Sequence, residues 1–326
     1  MLKIGNITLT HGVALAPMAG FTDYAMRAVA KKYGAELAYT EMVSAKAIEF
    51  GDKKTHTLAK IYADEGKTAL QLFGSDPEIM ARSAYKMQSA VDSSDGIAPV
   101  MIDINMGCPV HKIFSNGEGS ALMKSPELIY EIVKRTKENI SLPLSVKLRA
   151  GVDVSHINAV ECALAAESGG ADAVTVHGRT RTQMYQGKCD LEIIKNVKQA
   201  LHIPVIGNGD IVDADSALNM LSYTKADGIM IGRGAIGNPF LFEEIICAIS
   251  GKPMRKIPRE ERIDTALLQL SLAISDKGEG VAVRESRKQI ALYFKGWRGA
   301  AELRGNINKA ETYSEVRDLI LALQEE

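Results

Sequence analysis

The chain has 326 residues, 46% of them apolar and 24% charged, which is ordinary globular usage and excludes a disordered, collagen-like or low-complexity protein. Thirty-nine basic residues face 40 acidic ones, a net charge of -1, so a nucleic-acid partner has to be met by a local basic surface and not by bulk charge. Cys108, Cys162, Cys189 and Cys247 form no C-x-x-C pair, which argues against a disulfide framework or a cysteine-built zinc site; with no signal-type leader and no apolar run long enough to cross a bilayer, a reducing, cytoplasmic setting is expected.

In chain order, short β-rich apolar runs fall at 13–16, 37–40, 69–72, 101–104, 144–148, 173–176, 204–206 and 228–231. Between them, helical spacing covers 22–33, 76–91, 125–138, 155–168, 190–200 and 213–221, and several of these stretches open on Ser, Thr or Asp, as helix caps do. Continuous apolar strands alternating with amphipathic helices mean a parallel sheet covered by helices, and eight such units predict an α/β fold, a (β/α)8 TIM barrel closing near residue 240. A doubly wound sheet is the alternative architecture. The gap from Glu41 to Thr68 exceeds a simple crossover and mixes Lys46, Lys53, Lys54 and His56 with small residues, so an elaborated loop over the barrel mouth is expected. After Phe242 the strand rhythm stops, Lys252-Pro253 and Ile257-Pro258 punctuate, and 259–277, 283–295 and 314–323 read as helices. The expected division is a barrel domain over 1–251 and a small helical domain over 252–326.

Chemistry in such a barrel collects where the strands end, at the C-terminal face. Met18, Glu41 and Gln71 follow the first three strands, and Asn105 with Cys108 follows the fourth. Lys147 and Arg149 end the fifth, His177 and Arg179 the sixth, and Asn208-Gly209-Asp210 and Gly232-Arg233-Gly234 the last two. One such residue is an ordinary structural polar group; a polar group at nearly every strand end points to a functional mouth. The glycines of the last two loops leave main-chain N–H groups open to approach, Asn238-Pro239 can begin a short helix and Arg233 adds charge, which together make a phosphate site. The run from Gly232 to Gly237 also fits G-x-G-x-x-G, but no acidic strand end follows about twenty residues later, so the dinucleotide reading fails its context.

Lys147 sits in an apolar strand and needs a partner for its charge: an anionic ligand, or a carboxylate such as Glu41. A Schiff-base lysine is a third possibility, though the amide-rich mouth suits a planar heterocycle better. Cys108, in a Gly- and Pro-flanked loop, can act as an acid that protonates carbon, or as a nucleophile with His177 as base. His177 has no clustered second ligand, so no metal site is expected there, and hydrogen bonding to phosphate or ring oxygens is its expected role. From Arg284 to Lys309 seven basic residues (Arg284, Arg287, Lys288, Lys295, Arg298, Arg304, Lys309) face only Glu285 and Glu302, interleaved with Tyr293, Phe294 and Trp297. That composition suits an RNA backbone and unstacked bases, or an ordinary solvated helix face.

Taken together, Ala16-Pro-Met-Ala-Gly-Phe-Thr-Asp23, Gln71-Leu-Phe-Gly74, Asp103-Ile-Asn-Met-Gly-Cys-Pro109, Val146-Lys-Leu-Arg149, Val176-His-Gly-Arg-Thr180, Ile206-Gly-Asn-Gly-Asp210 and Met230-Ile-Gly-Arg-Gly234 resemble the bacterial tRNA-dihydrouridine synthases, closest to their B type. The match runs from about residue 14 to 240, and Arg287-Lys-Gln-Ile-Ala-Leu-Tyr-Phe-Lys-Gly296 looks like the family's helical tRNA-binding part, with Gln289 and Leu292 where a histidine and a tryptophan commonly stand. The resemblance implies FMN as cofactor, NADPH or NADH as electron donor, tRNA as partner, and reduction of the uridine C5–C6 double bond, with hydride from flavin N5 to C6 and a proton from Cys108 to C5. By position, it implies that Pro17, Met18, Ala19, Gln71, Lys147, His177, Asn208, Gly209, Asp210, Gly232 and Arg233 hold the flavin. Asn105, Arg149 and Arg179 would meet the substrate, and Arg287, Lys288, Lys295 and Arg298 would meet the RNA. A monomer is expected. Two other readings stay open: an FMN barrel of the dihydropyrimidine or dihydroorotate dehydrogenase type acting on a free base, which would not need the basic C-terminal part, and an RNA-binding protein that keeps the barrel as a scaffold and binds no flavin.

Overall fold

The computed structural model describes residues 1–89 and 96–324. Eight parallel strands form the barrel: β3 (Val13–Leu15), β4 (Ala38–Tyr39), β6 (Thr68–Phe73), β7 (Met101–Met106), β8 (Leu144–Arg149), β9 (Ala173–His177), β10 (Val205–Asn208) and β11 (Gly228–Ile231). Each expected strand lies on one of these. β11 pairs in parallel with β3, and the ring closes where Leu15 N–H donates to the Leu37 carbonyl at 2.9 Å and Glu36 N–H to the Val13 carbonyl at 2.9 Å. Strand residues are almost all buried, as a sheet enclosed by helices outside and packed side chains inside requires.

Side chains alternate along a strand, so Asp103 and Asn105 share one face of β7, and Ser145, Lys147 and Arg149 share one face of β8. The register then sets neighbours: Gln71 lies beside Asp103, Asn105 beside Lys147, Arg149 beside His177, and His177 beside Asn208. Ionisable and amide groups from five strands are thereby brought to one end of the barrel.

Helices Tyr24–Lys32, Pro77–Met87, Pro126–Asn139, Leu191–Ala200 and Ala214–Thr224 start where side chains of Asp23, Asp76, Ser125, Asp190 and Asp213 accept from first-turn N–H groups. The expected 155–168 helix begins later, at Ala159, because the preceding chain folds back on β8: Asn158 N–H donates to the Ala150 carbonyl, and a Cβ on Gly151 would lie 1.9 Å from the His156 carbonyl oxygen. Thr22 also stays outside its helix, its hydroxyl oxygen accepting from Met18 N–H at 2.9 Å. The expected helix end at Val91, and the side chains of Lys53, Lys54 and His56, lie outside the described residues.

Two regions of the barrel domain hold elements that the sequence pattern does not reveal. A hairpin of β1 (Leu2–Ile4) and β2 (Ile7–Leu9) presses Leu2, Ile4, Ile7 and Leu9 against Ala14, Leu37, Ala69, Met101, Ala173 and Met230, where the barrel strands begin. Between Glu41 and Thr68, β5 (Val43–Ser44) pairs with the end of β6 and leads into helices Ala45–Glu49 and Lys53–Ala59. This segment packs on the outer wall, where Ser83 Oγ donates to the Ala45 carbonyl at 2.8 Å and Glu49 pairs with Arg82 and Lys86. The segment is elaborated as expected but lies mainly on the outer wall, reaching the mouth through Met42; Lys46 pairs with buried Glu118 at 3.5 Å.

Beyond helix Leu241–Ile249, helices Arg259–Lys277, Glu279–Leu292, Ala300–Ile307 and Tyr313–Gln324 gather their own apolar cluster, which takes in Tyr33 and Phe240 from the barrel side. Ala300–Ile307 escaped the sequence reading because Gly296, Gly299 and Gly305 dilute its pattern. The expected 283–295 helix begins earlier, at Glu279, directly after Gly278 at φ +77° ends its predecessor. The helices seat on the first barrel helix: Tyr33 Oη lies 2.7 Å from Thr265 Oγ1, and Lys277 donates to Asp23 at 2.7 Å. At Gly237, a Cβ would lie 2.6 Å from the Leu292 backbone, so only glycine lets the two parts close.

Candidate active site

A cavity of about 1370 Å³ opens at the C-terminal end of the barrel and runs under the C-terminal helices. It is larger than the roughly 300–1,000 Å³ of a typical small-ligand site. The barrel contributes Pro17, Met18, Ala19, Gln71, Asn105, Cys108, Lys147, Arg149, His177, Asn208, Gly209, Asp210, Gly232 and Arg233 to its lining. The helices contribute Lys288, Leu292, Tyr293, Lys295 and Trp297, together with Arg262, Arg304 and Asn308. Arg304 belongs to the basic stretch seen in the sequence, whereas Arg262, Asn308, Met42 and Tyr185 carry no sequence signal for the site; Tyr185 stands in a loop without strand or helix signal and lies under Arg233, whose guanidinium is 4.6 Å from its ring centre.

The floor is a connected polar network. Lys147 Nζ donates to Asn208 Oδ1 at 2.9 Å, and Asn208 Nδ2 donates to the Met230 carbonyl at 2.7 Å. Glu41, an alternative partner for Lys147, instead accepts from Gly20 N–H at 2.9 Å. Burial, with Arg149 adding to it, lowers the Lys147 ammonium to about 8, so it is charged at neutral pH but poised to lose its proton just above. Beneath it, burial raises the Asp103 carboxyl to about 7 against opposing hydrogen bonds from Gln71 and Ser145. His177 is held far below its usual range by burial and by Lys147, Arg149, Arg179 and Arg233, and is therefore a neutral imidazole.

Cys108 is fixed from both sides. Its N–H donates to Asn105 Oδ1 at 2.9 Å, and its carbonyl accepts from Ser120 Oγ at 2.7 Å. Gly119, at φ +61°, leaves room where a Cβ would approach Cys108 Cβ to 3.0 Å. Burial raises the thiol above its ordinary value, outweighing the Val110 N–H and Arg149, so sulfur keeps its proton at neutral pH. A neutral His177 of very low basicity is a poor base for that thiol, which favours the acid role over the nucleophile role.

Several expected contacts have other occupations. Arg179 does not line the cavity: its guanidinium donates to the Gln186 and Gly187 carbonyls and to Asp210 Oδ2 at 2.8 Å. It is almost fully buried, so it shapes the loop and does not face a base as expected. Asp210, at φ +52°, spends its carboxylate on Arg179 and the Cys189 N–H. Burial acts to raise its carboxyl, yet those partners hold it below the usual range, and a carboxylate repels phosphate; only its main chain can serve an anion there. Arg149 reaches the cavity but donates to the Gly107, Thr180 and Met184 carbonyls. Arg287 donates to the Ala310 carbonyl, and neither it nor exposed Arg298 lines the cavity.

The residues present fit a phosphorylated heterocycle. The Gly209 and Gly232 N–H groups have no protein acceptor among the described residues, beside Arg233 at the rim. Gly209 at φ +126°, where a Cβ would lie 2.6 Å from Cys189 Sγ, keeps that edge flat and open. Lys147, the Gln71 and Asn105 amides and the Met18 and Met230 side chains supply donors and apolar surface for a ring.

The family profile described as dihydrouridine synthase matches residues 14–326. The chain is similar to a probable tRNA-dihydrouridine synthase of Rickettsia conorii, at 39% identity over 94% of this chain and 92% of that protein. It is similar to tRNA-dihydrouridine synthase B of Vibrio vulnificus at 38% identity, over 94% of both chains. A probable tRNA-dihydrouridine synthase of Treponema pallidum is 36% identical over 92% of this chain and 89% of its own length.

Proposed function

The chain belongs to the dihydrouridine synthase family, and on that premise we propose that it is an FMN-dependent tRNA-dihydrouridine synthase that uses NADPH or NADH to reduce the C5–C6 bond of uridines in tRNA. The observation that carries the reading is the single cavity shared by the barrel mouth, with its buried thiol, and the cationic face of the C-terminal helices. A free pyrimidine needs no such face, whereas an RNA strand does. The barrel over 1–251 holds the flavin and the helices over 252–326 hold the tRNA, in a monomer working in the cytoplasm.

The flavin, when bound, supplies two electrons as hydride for C6 of the uracil ring. The chain's own groups do the rest. Gly209, Gly232 and Arg233 hold the phosphate end, and Lys147 with Gln71 holds the electron-rich carbonyl edge. Cys108 delivers its S–H proton to C5, and water returns a proton to the thiolate. His177, neutral, donates one hydrogen bond and accepts one, so it orients oxygens without adding charge. Among the described residues no helix is long and apolar enough to cross a membrane.

The test is position-mapped nucleoside mass spectrometry of tRNA from cells with and without the gene. Loss of dihydrouridine at defined positions supports the reading, and unchanged tRNA alongside a flavin-bearing purified protein moves the substrate to a free base.

Two further outcomes are expected. FMN affinity, followed by flavin fluorescence from pH 7 to 9.5, should fall as Lys147 deprotonates; the bound flavin favours the ammonium, so affinity begins to drop near the value of about 8 for the ligand-free site. An affinity flat across that range would remove Lys147 from the flavin site. Replacing Lys288 and Lys295, both at the cavity, with Ala should flatten the salt dependence of tRNA binding by roughly 1 to 2 logarithmic units of slope. The same change at Arg287 and Arg298 should flatten it less, and equal effects would argue for a diffuse RNA surface.

A further inference from the structure

Gln71 and Asn105 are amides, whose two ends are chemically opposite and interchangeable by a half-turn. Here both orientations are dictated. At one end of the chain of bonds, the Cys108 main-chain N–H, which can only donate, meets Asn105 Oδ1 at 2.9 Å. Asn105 must then turn Nδ2 outward, and it donates to Gln71 Oε1 at 2.8 Å. Gln71 in turn places Nε2 against Asp103 Oδ2 at 2.7 Å. Asp103 closes the chain from below: it is fully buried, and its other oxygen accepts from Ser145 Oγ at 2.5 Å. An amide flip anywhere would set donor against donor, at a cost of roughly a broken buried hydrogen bond at each junction.

We propose that Asp103 is a positioning residue: acting through Gln71 and Asn105, it fixes the polarity of this chain, holds the Cys108 main chain in place, and determines that both amides offer N–H groups to the cavity. The inference rests on the reading of Cys108 as the proton donor for its functional meaning. Each amide keeps one N–H that the chain does not use, so the ligand edges facing Gln71 and Asn105 are carbonyl oxygens or unprotonated ring nitrogens.

The test uses the full-length protein with no RNA, comparing Asp103→Leu with Asp103→Asn. Leu removes the acceptor at the base of the chain. Asn keeps it, since its oxygen can accept from Gln71 while its amide donates to Ser145. The readout is iodoacetamide labelling of each cysteine, resolved by peptide mass spectrometry. Cys108 labelling should rise about tenfold in Asp103→Leu, as one lost buried bond loosens the loop, and stay within about twofold of the parent in Asp103→Asn. Buried Cys162 is the internal control for general loosening. Equal acceleration in both variants, or a parallel rise at Cys162, would overturn the proposal in favour of a charge or core effect. An unchanged Cys108 rate in a folded Asp103→Leu protein would overturn it too. If that variant does not fold, Gln71→Met interrupts the same chain one link nearer the thiol and is read identically. Because labelling needs neither flavin nor RNA, its result stands apart from whether tRNA is the substrate.

Discussion

Cys108→Ala is expected to slow uridine reduction by about 10² to 10⁴, the range for losing a positioned general acid, while NADPH-driven flavin reduction continues at the parental rate. The thiol is buried, protonated at neutral pH and held by Asn105 and Ser120, so its loss removes a proton source without dismantling the loop: the hydrogen bonds in question run to the Cys108 main chain. Stopped-flow measurement of the two half-reactions separates the effects. Parental turnover on tRNA in this variant would falsify the proton-donor role, and equal loss in both half-reactions would point to damage at the flavin.

Arg27→Met should cost about 3–5 kcal/mol of folding stability, the penalty for stranding one partner of a buried ion pair. Arg27 and Glu65 are both inaccessible; the Arg27 Nε to Glu65 Oε2 contact is joined by a second from Nη2 to Oε1 at 3.0 Å. The same guanidinium donates to the Thr22 and Lys60 carbonyls, so it also braces the turn that carries Met18 to Thr22. Replacing both partners, Arg27→Met with Glu65→Leu, should recover most of the loss because no charge is then left buried. Urea titration of the two variants decides it. A single variant within about 1 kcal/mol of the parent would mean that water reaches Glu65.

The barrel was legible because its strands are buried on both faces and therefore read as apolar runs, and because the polar residue ending each run has no reason to be there except the mouth. Pairings across the sheet were not legible. Arg179 and Asp210 each look like ligand contacts at a strand end, and only the fold shows that they satisfy each other. Asp103 reads as one more polar residue in a strand until β6, β7 and β8 are placed in register. The terminal hairpin was hidden by size, since three-residue strands carry too little alternation to stand out. Gln289, noted in the sequence as a departure from the family pattern, accepts from Gln269 Nε2 at 2.7 Å, and Gln269 accepts from Tyr293 at 2.6 Å, so it belongs to a buried bond set joining two C-terminal helices.

The hairpin has a kinetic consequence. The barrel interior is filled by side chains and Leu2, Ile4, Ile7 and Leu9 cover the strand starts, so the site is a cup open at one end. Everything that reaches the floor must arrive and depart across one rim, and the C-terminal helices already roof part of it. On the proposed reading, a nicotinamide donor and a nucleotide still attached to its RNA would share that one doorway, and an excess of either reactant is expected to slow turnover of the other.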